Sequence, residues 1–125
     1  MKPIATEKAP AAIGPYSQAI EANGMVFVSG QLGISMKTGE MAEDVSAQAQ
    51  ASLENIRAIL TAAGLGMEDI VSTTVYLTDM GDFAAVNAVY APFFPQNPPA
   101  RACIAVAGLP KNGLVEIACI AARKA

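Results

Sequence analysis

"ARACIAVAGLPKNGLVEIACIA", residues 100–121, is the stretch on which the fold turns. Two runs of small and apolar residues, Arg101 to Ala107 and Leu114 to Ala122, flank the turn-rich "GLPKNG" at 108–113. Each run alternates loosely and reads as a strand. Side chains alternate across a strand. In the second run Val115, Ile117 and Cys119 therefore share one face, and Glu116, Ala118, Ile120 and Ala122 the other. In the first run Ala102, Ile104 and Val106 share a face, opposite Arg101, Cys103, Ala105 and Ala107. The sets rich in Ile and Val are expected to meet helices. The opposite face is then Ala, Cys and Ile, with Arg101 and Glu116 as its charges. A solvated sheet face carries polar residues instead. This face is expected to pack on another subunit, with Arg101 and Glu116 in or beside the contact. By the same parity Cys103 and Cys119 fall on opposite faces, which argues against a disulfide.

Upstream, the loop "PQNPP" (95–99) cannot be helix or central strand. Before it, Phe83, Val86, Tyr90 and Phe93 mark the buried stripe of a helix whose N-cap is read at Asp82. "DIVSTTVYLTD" (69–79) is β-branched and alternating, a strand. A longer helix precedes it, with Ala49, Leu53, Ile56, Leu60 and Ala63 on one face, Asp44 as N-cap and Gly64 as its C-terminal stop. "SMKTGE" (35–40) is a loop. Asn23-Gly24 marks a hairpin whose arms are Ser17 to Ala22 and Met25 to Gly30. The order is β-β-α-β-α-β-β in a single domain spanning 1–125. This predicts an α+β fold with two helices packed on one face of a mostly antiparallel sheet.

The totals narrow the chemistry. Of 125 residues 53% are hydrophobic and 15% charged, rich for a small monomer and in keeping with a buried subunit contact. A net charge of −3 gives no footprint for nucleic acid or an acidic membrane. "MKPIATEKAP" has no apolar core of a secretory signal, and no run is long enough to span a bilayer, so a cytoplasmic location is expected. Histidine is absent and there are two cysteines, which excludes histidine-based triads and a zinc site. No metal and no cofactor are expected. "GLGMED" (64–69) lacks the third glycine of a dinucleotide fingerprint.

A charge pair on an apolar face has two readings. Arg101 and Glu116 could be a structural ion pair at a subunit contact. Alternatively, the Arg101 fork could hold a ligand carboxylate through two parallel N–H···O bonds, with Glu116 orienting a water or carrying a proton.

"PARACIAVAGLPKNGLVEIACIA" resembles the signature of the Rid family, the YjgF-type reactive intermediate (enamine/imine) deaminases. "GPYSQAI", "VFVSGQLG", "DIVSTTVYLTDMGDFAAVNAVYAPFF" and "PPAR" follow in the family's order, so the resemblance covers nearly the whole chain. It implies a chorismate mutase-like homotrimer with clefts between subunits. It also implies cofactor-free hydrolysis of 2-iminoacids and their enamine tautomers, such as 2-aminoacrylate, to 2-ketoacids and ammonia, a reaction that protects pyridoxal-phosphate enzymes. On this resemblance the activity is that of a 2-iminobutanoate/2-iminopropanoate deaminase. Arg101 matches the carboxylate-binding arginine and Glu116 the water-positioning glutamate. Tyr16, Ser29, Gly30, Asn87 and Cys103 match substrate-binding cleft positions. Each has a plainer role open to it: Tyr16 a core aromatic, Gly30 a bulge, Asn87 a solvated helix residue, Cys103 a small apolar residue. The chain departs from the family pattern at Pro98, where many members carry an aromatic, and at Ala118, where many carry a second glutamate. A module that binds small carboxylates as a sensor, or acts as a chaperone-like partner, is the rival reading.

Overall fold

In the computed structural model, which describes residues 1–124, six strands form one sheet beneath two helices. The strands are β1 (Lys2–Ile4), β2 (Ala19–Ala22), β3 (Met25–Leu32), β4 (Ile70–Leu77), β5 (Ala100–Ala105) and β6 (Val115–Ala122). Their order across the sheet is β1-β2-β3-β6-β4-β5. The β4–β5 pair is parallel and every other pair is antiparallel. The helices are α1 (Val45–Ala62) and α2 (Phe83–Tyr90).

The α+β architecture is as expected, with one strand more. β1 escapes the sequence reading because it is three residues long and contains Pro3, which an edge strand tolerates. The Asn23-Gly24 turn has both residues at positive φ, as the hairpin requires. Asp44 caps α1 by accepting a hydrogen bond from the Ala47 amide (2.8 Å), and Gly64 ends it at φ 76°. The second helix differs. Asp82 occupies the N-cap position without a capping bond, and Asp79 instead accepts from the Gly81 amide (2.8 Å) in the preceding 3-10 turn. Phe93 lies beyond α2 in a separate turn, buried, whereas Phe83 is exposed.

The core lies between helices and sheet. Leu53, Ile56 and Leu60 of α1 and Val86 and Tyr90 of α2 pack on Val26, Val75, Leu77, Val115, Ile117 and Ala121. α1 also buries a second, polar stripe, Gln48, Ser52 and Asn55. Ser52 donates to the carbonyl of Gln31 (2.7 Å) and Asn55 to that of Ile34 (2.9 Å). The Gln48 amide donates to Ala42 and accepts from the backbone of Leu114. These bonds supply partners to backbone groups that leave the sheet, which is why polar side chains are tolerated there.

Strand parity is as expected in β6 and inverted in β5. Val115, Ile117, Cys119 and Ala121 are buried against the helices, while Glu116, Ala118, Ile120 and Ala122 point to the open face. In β5 the register sets Arg101 beside Thr73, Cys103 beside Val75 and Ala105 beside Leu77. Thr73, Val75 and Leu77 face the core, so Arg101 and Cys103 lie on the helix side and Ile104 lies on the open face. Both cysteines therefore share the helix side, flanking β4, and both are free. The open face carries Phe27 and Ile104, each 45% exposed.

Candidate active site

Glu116 sits on the open face of the central strand, between Leu32 of β3 and Tyr76 of β4. The β3–β6 register shifts between Val28 and Gln31, so Ser29 and Gly30 bulge out of the ladder next to it. A side chain on Gly30 would collide with the Glu116 carboxylate in its present position, so glycine leaves room for that carboxylate beside the bulge. The bulge is held from two sides. Ser29 donates its hydroxyl to the carbonyl of Ser17 (2.6 Å), and the Gln31 side chain donates to the carbonyl of Ser29 (3.1 Å).

Above the bulge opens a cavity of about 750 Å³ whose walls include Tyr16, Ser29, Gly30, Leu32, Lys111 and Glu116. The segment bearing Tyr16 is anchored by the buried side chain of Gln18, which accepts from the amide of Thr6 (2.7 Å) and donates to the carbonyl of Pro10 (2.8 Å). Tyr16 itself is 53% exposed, so it is a wall residue and not a core aromatic. Among the described residues no side chain hydrogen-bonds the Glu116 carboxylate, and burial raises its pKa above the usual carboxylate value.

Arg101 lies elsewhere, at the helix side of the sheet edge. Its Nη1 donates to Oδ1 of Asn87 (2.8 Å), and its guanidinium lies over the rings of Tyr90 (4.8 Å) and Phe83 (5.5 Å). Among the described residues it forms no ion pair. One face of α2 thus holds the cation while the remaining N–H groups of the fork stay free of the chain. Cys103, two residues along the same strand, is half-buried against the core. Burial raises its thiol pKa, and Arg101 partly offsets the rise. Burial thus works against the thiolate form that a nucleophilic role would use.

The predicted residues thus form two groups. Tyr16, Ser29, Gly30 and Glu116 share the cavity on one face, and Arg101, Asn87 and Cys103 share the β5 edge on the other. Within one chain Arg101 and Glu116 do not form the ion pair considered from the sequence. Lys111 of the cavity escapes the sequence reading, and Phe83 and Tyr90 are read there only as buried residues of the helix, without their place beside Arg101. The helical spacing of 83, 87 and 90 is the signal that would have found that place. Among the described residues no three His, Cys, Asp or Glu side chains gather as metal ligands, and no helix is long and apolar enough to cross a membrane.

The fold is a single-domain α+β sheet with two helices, and its open cavity holds a carboxylate that has no side-chain partner among the described residues. Comparison with known proteins gives its family. The family described as Endoribonuclease L-PSP matches residues 6–123. A 2-iminobutanoate/2-iminopropanoate deaminase of Salmonella typhimurium is 56% identical, with 98% of each chain covered. The Escherichia coli deaminase of the same name is 52% identical over 98% of each chain. Among solved structures, Escherichia coli TdcF with bound serine superposes with a TM-score of 0.95 at 48% identity, covering 99% of this chain and 100% of that one. The chain belongs to this family, the YjgF-type Rid deaminases.

Proposed function

We propose that the protein is a cytoplasmic hydrolase that converts 2-iminoacids and their enamine tautomers to 2-ketoacids and ammonia. We propose further that it works as a homotrimer. The reading rests on one observation above all: a half-buried carboxylate, Glu116, without a side-chain partner among the described residues, in a cavity whose lysine, Lys111, does not supply the forked cation that grips a carboxylate through two parallel bonds. That cation, Arg101, is on the other face of the same sheet with its fork free. A second copy that brings its β5 edge to the cavity completes the site. The apolar open face, with Phe27 and Ile104 exposed, favours such an association. Each cleft then combines Arg101, Asn87 and Cys103 of one subunit with Tyr16, Ser29, Gly30 and Glu116 of its neighbour. The relatives' names support the substrate class, and the serine bound to TdcF is an amino acid of similar size that carries the same carboxylate.

The chemistry follows from the charges. The substrate carboxylate docks on Arg101 through two N–H···O bonds. An enamine such as 2-aminoacrylate takes a proton on carbon and loses one from nitrogen to become the imine. Glu116 accepts a proton from water as the oxygen bonds to the imine carbon, and passes that proton to the nitrogen to give the neutral carbinolamine. It then takes the hydroxyl proton as the C=O bond forms and delivers it to the departing nitrogen, which leaves as ammonia. The carboxylate is regenerated at the end of each step. A raised carboxylate pKa suits a group that must both take and return a proton. Positioning and electrostatics supply the acceleration, and no cofactor enters. In the cell, removal of such electrophilic intermediates would protect pyridoxal-phosphate enzymes.

The test is release of ammonia and pyruvate from freshly generated 2-aminoacrylate. The protein is expected to shorten the lifetime of the intermediate well below its spontaneous hydrolysis. Tight pyruvate binding with no acceleration would overturn the enzyme reading in favour of a carboxylate-binding module.

A further inference from the structure

Phe83 presents an anomaly. It is a large aromatic on α2, yet it is 38% exposed and absent from the core that takes Val86 and Tyr90. Phe83, Asn87 and Tyr90 lie at i, i+4 and i+7, one face of the helix. Arg101 meets that face with all three: a hydrogen bond to Asn87 and stacking over Tyr90 and Phe83. The inner wall of this cage is rigid. The Tyr90 hydroxyl and Thr73 Oγ1 are 2.7 Å apart in the core, and the Tyr90 ring packs on Phe94 with centroids 4.7 Å apart. The outer wall is set by the start of the helix, where the Asp79 cap on Gly81 fixes the turn that delivers Phe83.

We propose that Phe83 is a positioning residue for substrate binding. Together with Tyr90 it sandwiches the Arg101 guanidinium, and Asn87 fixes the rotation of the fork. The free N–H groups are thereby aimed away from the chain before ligand arrives. This inference rests on Arg101 as the carboxylate-docking residue. An unrestrained arginine loses side-chain freedom when it binds, and prior restraint removes part of that cost. The ring also attracts the cation electrostatically without consuming any of its N–H donors, so the fork keeps its bidentate capacity.

The experiment compares Phe83→Leu, which keeps apolar bulk without a π face, with Phe83→Tyr, which keeps the face. Pyruvate affinity is read by calorimetry and KM and kcat with 2-iminopropanoate, on full-length protein, beside the melting temperature. Phe83→Leu is expected to weaken pyruvate binding roughly two- to fivefold, the equivalent of an exposed cation–π contact. KM should rise by the same factor with kcat little changed. Phe83→Tyr should bind as wild type, and both should melt as wild type because the site is exposed. Equal affinity across the series, or equal weakening in both variants, overturns the positioning role. Arg101→Lys in the same assay separates the two levels. If it leaves pyruvate binding intact, the docking role of Arg101 fails. If it weakens binding while the Phe83 series is flat, the Phe83 assignment alone fails.

Discussion

Ala-Cys-Ile-Ala occurs twice in the chain, at 102–105 in β5 and at 118–121 in β6. Both copies flank β4, both turn cysteine toward the helices and isoleucine toward the open face, yet they live in different surroundings. The copy in β6 is paired on both sides. Its residues alternate between buried and half-buried, and the Cys119 thiol is pushed up to about 12 by burial. The copy in β5 is at the sheet edge, exposed except at Cys103, whose thiol is raised less simply because Arg101 works against burial. One sequence thus serves as structural filler at the centre and as the carrier of a cation at the rim. Position in the sheet, not local composition, assigns the role.

The sharpest break in the comparison is at the charged neighbours of the two copies. Glu116→Gln keeps the shape beside Gly30 but cannot accept a proton. Turnover is expected to fall roughly 10²–10⁴-fold, the usual contribution of a general acid or base, with pyruvate still bound. Single-turnover hydrolysis beside calorimetry reads both, and unchanged turnover would make Glu116 structural. Arg101→Lys removes the two-pronged contact. Charge-assisted hydrogen bonds of this kind support a loss of roughly 10–100-fold in pyruvate affinity, with the subunit association intact.

Ile104→Asp tests the open face at the rim. The side chain is 45% exposed in the single chain, so the fold should survive, while a buried aspartate would split the proposed trimer. Light scattering should show the mass drop to one third and activity should vanish with it. A trimer that tolerates the aspartate would place the contact elsewhere. The two thiols give a smaller contrast: a maleimide should label Cys103 in the native protein and reach Cys119 only after unfolding.

The smallest effect concerns pH. Burial raises the Glu116 pKa in the folded state above its ordinary value of 4.5. The folded protein then holds this proton more tightly than the unfolded chain. As pH rises from that ordinary value through the raised one, ionisation of Glu116 subtracts from stability. Glu116→Gln should therefore melt slightly higher than wild type at pH 8 and at the same temperature below pH ~4, a difference read by thermal scans. Hydrolysis by the wild type should rise with pH across the same window, as the base form fills.

β6 was legible because burial contrasts along it. Two neighbouring strands and a helix layer force the alternation that Val115, Ile117 and Cys119 display. β5 offered no such contrast, and weighing Ile104 and Val106 as core residues inverted its faces. The inversion moved Arg101 from the face of Glu116 to the opposite one, which no single-strand pattern could reveal, since parallel register with β4 decides it. The cavity group of Tyr16, Ser29, Gly30 and Glu116 was named through the family resemblance; from the residues alone only the Glu116 charge on an apolar strand and the Gly30 bulge stood out. The polar stripe of Gln48, Ser52 and Asn55 was not legible, because its partners are backbone carbonyls and amides far along the chain.

The strand that comes latest in chain order, β6, is wedged between β3 and β4. During synthesis the hairpin of β2 and β3 therefore waits with an unpaired edge, and so does β4, until residues near 120 become available to join them. Such long-range closure slows folding and exposes sticky edges in the interim. A truncation that removes β6 should yield aggregate, not a smaller folded protein.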